Sequence, residues 1–166
     1  MKRSISTLLF LAFLQGGLVA ADPGLRELAL TGDQKQLGFE FPDETWAVVM
    51  ETGLSGGYFN LVMLYDGTTS LYLSNGGGII GAGEHGSVAQ LSKKVIGLAS
   101  SAEELFSPTT SLQVPADGEV RIYLRNGPSL SYLTASEATL GEGQHEASRI
   151  FYAAHQVIAE IRRVGK

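Results

Sequence analysis

Two short corners of the sequence place a histidine next to carboxylates and glycines. GAGEH ends in Glu84 and His85, and GEGQH contains Glu142 and ends in His145. Imidazole and carboxylate groups bind zinc and other divalent metals, and a histidine at a helix start also suits acid–base chemistry. Neither HExxH nor another established ligand spacing is present. We therefore expect these histidines to cap helices or face water, with a metal or acid–base site as the alternative.

A third carboxylate, Glu51, directly follows the apolar run WAVVM. We expect the strand to end there and Glu51 to meet water; the alternative is a catalytic carboxylate aimed at a cleft beside the glycine-rich loop. His155 lies within a helical pattern and is expected at the surface or at its boundary. The chain has no cysteine and no GxSxG motif, so thiol and serine-hydrolase chemistry have no support.

The loop SNGGGIIGAGEH, residues 74–85, follows a strand-like run and precedes a helix-like one. Glycine loops in that position often hold phosphates. Here no GK[ST] sequence follows, and Glu84 would repel an anion, so we predict no nucleotide and no other cofactor. We interpret the loop instead as a structural corner that inserts Ile79 and Ile80 into the core and leads into a helix after His85. Its glycines are Gly76, Gly77, Gly78, Gly81 and Gly83.

Five strand-like runs and two helical stripes must position these residues. The runs are WAVVME, YFNLVMLY, TSLYLS, GEVRIYLR and SLSYLTA, with the turn dipeptides Asp66-Gly67 and Asn126-Gly127 between neighbours. Apolar residues recur at helical spacing from Val88 to Leu98 and from Ala147 to Ile161. The pattern predicts an α+β fold with about five mainly antiparallel strands in the order β-β-β-α-β-β-α. Profilin-like and roadblock-like domains share such an arrangement, in topology only.

Two segments of the chain match each other at fixed offsets. DGTTSLYLSNG, residues 66–76, aligns with DGEVRIYLRNG, residues 117–127, and each GxGxH corner then precedes a helical stripe. An internal repeat explains the match, and so does convergent turn chemistry, because DG and NG are preferred in hairpins.

The first 21 residues have the order of parts of an export signal. Lys2 and Arg3 precede the apolar run ISTLLFLAFL, and small residues precede a cut after Ala21. We predict a signal peptide at 1–21, a lead-in segment that packs weakly at 22–45, and a single α+β domain at 46–166. The protein would then be exported to the periplasm or medium, without a stable membrane span after cleavage. The alternative is that the start codon is wrongly assigned and that the protein is cytoplasmic.

The formal net charge is −5, and it becomes −7 when Lys2 and Arg3 are removed with residues 1–21. The remaining basic residues form no run longer than Arg162-Arg163. Phosphate neutralisation dominates nucleic-acid affinity, so the sequence predicts no nucleic-acid partner.

The motifs VVMETG, DGTTSLYLSNGGGIIGAGEH and LGEGQH resemble those of a group of small uncharacterised bacterial proteins. The resemblance covers residues 46–163 and implies no activity. Many members of that group lack an export signal, which favours the cytoplasmic alternative for this chain.

With no complete catalytic constellation, we expect a non-catalytic module that binds a partner protein or itself as a homodimer. The alternative is a metal-dependent or acid–base enzyme that uses Glu51, Glu84, His85, Glu142 and His145.

Overall fold

One open antiparallel sheet organises residues 23–165, the part of the chain that the computed structural model describes. Its seven strands lie in the order β4-β3-β2-β1-β6-β7-β5. The strands are β1 (Thr45–Leu54), β2 (Gly57–Leu64), β3 (Thr69–Leu73), β4 (Gly78–Ile79), β5 (Ser107–Pro108), β6 (Glu119–Asn126) and β7 (Ser129–Ser136). The helices are α1 (Pro23–Thr31), α2 (Gln34–Leu37), α3 (Gly86–Ser100), α4 (Glu137–Gly141) and α5 (Ser148–Val164), with short 3₁₀ turns at Ala82–Glu84 and Glu103–Leu105.

The predicted α+β class and both long helices are present, and the sheet is wider than expected. All five predicted strands form, and two further strands of two residues each, β4 and β5, extend the two edges. Two residues are too few to show the alternation of apolar and polar side chains that is typical of a strand. The sequence therefore could not predict β4 and β5, whose pairing depends on the neighbouring strand.

The two long helices cover one face of the sheet. Apolar side chains of both helices are buried against apolar side chains of the central strands. The helix residues are Val88, Val95 and Ala99 of α3 and Ile150, Val157 and Ile161 of α5, and the strand residues are Val48, Met50, Ile122 and Leu124. Ser87 at the start of α3 lies next to the carboxylate of Glu160 near the end of α5, which shows that the two helices run antiparallel. This layer forms the main core.

The N-terminal segment, residues 23–44, covers the opposite face, and the expectation that it packs weakly is wrong. Leu30 is fully buried against Val49 and Tyr123, and Leu37 packs against Trp46. Strand β1 is buried on both faces, and a strand of that kind needs a cover on each. We call residues 23–44 the N-terminal cover.

The two matching sequence segments fold into equivalent units. In each, an Asp-Gly pair precedes a strand, a turn leads to an antiparallel strand, and a GxGxH corner precedes a long helix: β3-β4-α3 and β6-β7-α5. Their strands occupy matching places on the two sides of β2 and β1 in the sheet. Because α3 and α5 are antiparallel, the two corners lie at opposite ends of the helix layer.

The proposed signal peptide at 1–21 lies outside the described residues. Within residues 23–165, no helix has the length and apolar character needed to cross a bilayer.

Candidate functional site

The glycine loop is the turn of the β3–β4 hairpin and the entry to the 3₁₀ turn. Gly76, Gly77 and Gly78 have φ of 99°, 84° and 152°. A Cβ on Gly78 would lie 2.5 Å from the carbonyl oxygen of Leu71, and one on Gly83 would lie 2.1 Å from that of Gly67. Glycine at these two positions lets the backbone turn and approach its neighbours closely. Helix α3 begins at Gly86, directly after His85, as predicted.

Ile79 and Ile80 do not enter the core, which corrects the sequence-based prediction. Their side chains are 38% and 41% exposed. Strand β4 is an edge strand of two residues, and it places Ile79 opposite Leu71. Ile80 follows and lines a small apolar cavity of about 40 Å³ together with Trp46 and Tyr72. Apolar residues between glycines predicted burial, but the pattern does not distinguish an edge from the centre of a sheet.

His85 and Glu84 are both exposed at the start of α3. The carboxylate of Glu160 on α5 lies close to His85, whose positive charge helps to lower the Glu160 pKa. The largest cause is Arg163, whose guanidinium Nε donates to Glu160 at 2.7 Å; with the contributions of Ser87 and His85 it lowers the pKa of Glu160 to about 2. His85 therefore belongs to a solvated charge cluster at the end of α5.

His145 is half-buried at the start of α5, and Glu142 is exposed nearby. The imidazole Nδ1 accepts a hydrogen bond of 3.0 Å from the backbone N–H of Ala147. In the neutral ring the proton then resides on Nε2. His145 lines a cleft of about 430 Å³ beside β7, and none of the other sequence-predicted residues lines that cleft.

The two histidines cannot share one metal ion. His145 precedes α5, whereas His85 lies near Glu160, twelve residues into that helix. At 1.5 Å per residue this separation is about 18 Å, and Zn–N bonds are about 2 Å long. No group of three or more histidine, aspartate or glutamate side chains converges within residues 23–165.

Glu51 does not meet water, so the expectation that β1 ends there at the solvent is wrong. It lies within β1, is fully buried, and accepts hydrogen bonds from Arg26 of α1: Nε to Oε1 at 2.6 Å and Nη2 to Oε2 at 2.9 Å. Burial raises the Glu51 pKa, and Arg26 partly offsets that rise. Arg26 and Glu51 thus form a bidentate ion pair between α1 and β1, with the carboxylate buried.

Sequence reasoning missed a polar row that crosses the sheet beneath α1. Cross-strand pairing aligns Arg121, Glu51, Asn60 and Tyr72. Burial and the nearby Glu51 charge raise the pKa of Tyr72, and the Oδ1 atom of Asn60 lacks a hydrogen-bond partner. These residues stand on four different strands, so only the register of the sheet reveals the row.

A second missed arginine joins the same cover to the sheet. Arg125 of β6 is 2% exposed and donates to the backbone carbonyls of Ala29 at 3.2 Å and Gly32 at 3.1 Å. Its guanidinium lies 4.7 Å from the ring centroid of Trp46. Burial lowers the Arg125 pKa to about 10. The alternating pattern of β6 puts residue 125 on the face opposite to Val120, Ile122 and Leu124, but it does not reveal that the N-terminal cover buries that face.

His155 is half-buried, in agreement with the sequence-based expectation. Its ring lies 4.2 Å from that of Phe151, and burial lowers its pKa.

Four apolar side chains are contiguous at the β4 edge of the sheet. Phe59 pairs directly with Leu73. Leu54 is a diagonal neighbour of Phe59, and Ile79 is a diagonal neighbour of Leu73. All four residues lie on the face of the sheet that the long helices cover. Leu54 and Leu73 are each 40% exposed, and Phe59 is half-buried. We call Leu54, Phe59, Leu73 and Ile79 the edge patch.

The chain matches no protein-family model. A search of curated proteins found no significant match. A search of solved structures also found none.

Proposed function

We propose that this protein is a non-catalytic binding module that associates with a second copy of itself through the edge patch. The observation that carries the proposal is the exposed, contiguous apolar surface at an open sheet edge. Apolar patches of this kind mark protein–protein contact sites in soluble proteins.

The charge distribution favours a second copy as the occupant. The chain is acidic, so most of its surface repels another copy. Residues 52–83 carry one charged side chain, Asp66, which lies in the β2–β3 turn at the far end of the strands from Leu73. The strands and turns of this edge therefore add no like-charge repulsion when two copies approach.

Backbone geometry supports the same contact. Strand β4 pairs with β3 on one side, and no strand within residues 23–165 pairs with its other side. A twofold axis perpendicular to the sheet would bring two β4 strands together antiparallel and set the two edge patches side by side.

The test is the molar mass in solution, measured by light scattering over a range of concentrations. We expect a dimer for the unmodified protein and a monomer for Leu73→Lys, because a charge at an edge blocks pairing. Val114→Lys is the matched control, since Val114 is 50% exposed and lies in the connector before β6. A monomer at every concentration contradicts self-association. If a different protein binds and Leu73→Lys abolishes that binding, the edge patch binds a partner other than a second copy.

The export of the protein after cleavage of residues 1–21 is also a proposal. It rests on the order of charged, apolar and small residues in that segment. The likeness to profilin-like and roadblock-like domains stays a topological analogy.

The alternative of an acid–base enzyme is now limited to His145. It alone of the predicted residues lines the cleft beside β7, whereas Glu84 and His85 are at the other end of the helix layer. Loss of a hydrolytic or isomerase activity in His145→Ala, with an unchanged melting temperature, would favour it.

A further inference from the structure

The outer edge of β7 is only partly paired. Strand β5 places Ser107 opposite Tyr132, and the backbone N–H of Thr109 donates to the carbonyl of Leu130 at 3.0 Å. In an antiparallel ladder, each residue directs its backbone N–H and C=O to the same neighbouring strand, and successive residues alternate between the two neighbouring strands. Leu130, Tyr132 and Thr134 therefore present theirs to the outer edge.

The ladder stops before Thr134. The residues before Ser107 do not continue the strand, because Glu103–Leu105 form a 3₁₀ turn. No strand within residues 23–165 therefore lies opposite Thr134, whose outward N–H and C=O have no ladder partner. The side chain of Thr134 is exposed.

A cleft of about 430 Å³ begins at this point of the edge. Tyr132, Leu133 and Thr134 form its strand side, and the other walls are the chain at Leu105 and Ser107 and the loop at residues 144–146. The cleft thus lies where a continuation of β5 along β7 would run.

Polar groups on the loop wall remain available to a ligand. The imidazole Nδ1 of His145 accepts a hydrogen bond from the backbone N–H of Ala147, so the proton of the neutral ring is on Nε2, which can donate it to a ligand. Glu146 is exposed and forms no ion pair within the described part of the chain. The carboxylate favours a basic side chain, as does the acidity of the whole protein.

We propose that this cleft binds an extended peptide segment of a partner protein, which carries a lysine or arginine and pairs with Thr134 as an added strand. The chain's own residues 107–109 already occupy the adjoining part of the edge in this manner. Main-chain pairing to an open edge is an established mode of peptide recognition. The site is at the opposite edge of the sheet from the edge patch and does not rest on self-association.

The first test uses two substitutions at one position. Thr134→Pro removes the outward N–H, which an edge strand tolerates because no ladder bond to β6 is lost. Thr134→Val keeps that N–H and also removes the hydroxyl that donates to Glu119, so it is the matched control. A random heptapeptide library displayed on phage is selected against the purified full-length protein.

We expect enriched peptides to contain a lysine or arginine, to bind the unmodified protein and Thr134→Val alike, and to bind Thr134→Pro at least tenfold more weakly. Equal binding to Thr134→Pro, or no enrichment over an unrelated acidic protein, overturns the proposal.

A second measurement needs no folded proline variant. Hydrogen exchange of the Thr134 amide should be fast in the free protein and slow at least tenfold when a selected peptide is added. Glu146→Lys should weaken the same peptides at least tenfold. Protection confined to another surface, or unchanged binding to Glu146→Lys, would show that the peptides do not use this cleft.

Discussion

Arg26 and Arg125 join the N-terminal cover to the sheet in opposite directions. Arg26 extends from α1 to the carboxylate of Glu51 in β1, whereas Arg125 extends from β6 to backbone carbonyls at the end of α1. A cation is favourable at the C-terminal end of a helix because the backbone carbonyls there are unpaired. Each arginine satisfies groups that burial would otherwise leave unpaired.

Arg26→Ala should lower the free energy of unfolding by about 3–5 kcal/mol, because it leaves the buried Glu51 without its partner. Chemical denaturation measures the change, with Arg149→Ala, an exposed substitution on α5, as the control. Adding Glu51→Met to Arg26→Ala should recover most of the loss. Equal stability of Arg26→Ala and Arg149→Ala would show that the pair does not hold the cover.

Ile80→Ala should cost no more than about 1 kcal/mol, because the side chain is 41% exposed. The same substitution at the fully buried Ile122 should cost about 2–5 kcal/mol. Thermal melts of the two variants give the comparison. A loss at Ile80 as large as that at Ile122 would restore the core position that the sequence predicted.

The β3–β4 hairpin is the element in which glycine chemistry matters most. Gly77 has φ of 84° with open space around it, whereas Gly78 has φ of 152° and lies against the backbone of Leu71 and Tyr72. Both positions disfavour an L side chain, but only Gly78 also lacks room for one. The loop therefore serves the geometry of the hairpin.

Gly77→Ala should cost about 1–2 kcal/mol from its backbone conformation alone. Gly78→Ala should cost clearly more, because its Cβ would lie 2.5 Å from the Leu71 carbonyl oxygen and 2.7 Å from Tyr72 Cα. Urea unfolding of the two variants measures the difference. Equal losses would mean that β4 does not approach β3 as closely as described.

The long elements were predictable from the sequence because each has its own periodicity. The runs WAVVME and GEVRIYLR and the helical stripe from Ala147 to Ile161 could be predicted without knowledge of their neighbours. The pairing of Arg26 with Glu51, 25 residues apart, depends on how α1 lies on the sheet. The cleft at His145 likewise depends on the loop and strand that meet there.

At the scale of the whole molecule, the two hairpin–helix units give the sheet two different edges. The first unit ends in the short β4 with its exposed apolar residues, and the second ends in the longer β7 with its cleft. The nine extra residues between the matching motifs of the second unit accommodate this longer strand. The proposed self-association surface and the proposed peptide cleft therefore lie at opposite edges of the sheet.

The proposed export has a direct check at the N-terminus. The intact mass of the protein recovered from its native host should correspond to a chain that starts at Asp22, or one residue earlier. Arg26 would then be the fifth or sixth residue of the mature chain and still pair with Glu51. Full-length protein found in the cytosol would contradict the signal peptide and favour a misassigned start.

The molar mass of the unmodified protein and of Leu73→Lys, determined by light scattering during size-exclusion chromatography, tests self-association most directly. Leu73 is 40% exposed and lies on the β4 side of the sheet, so the substitution should leave the melting temperature within a few degrees. We expect a dimer for the unmodified protein and for Val114→Lys, and a monomer for Leu73→Lys. A monomeric unmodified protein, or a dimer that survives Leu73→Lys, would contradict this expectation.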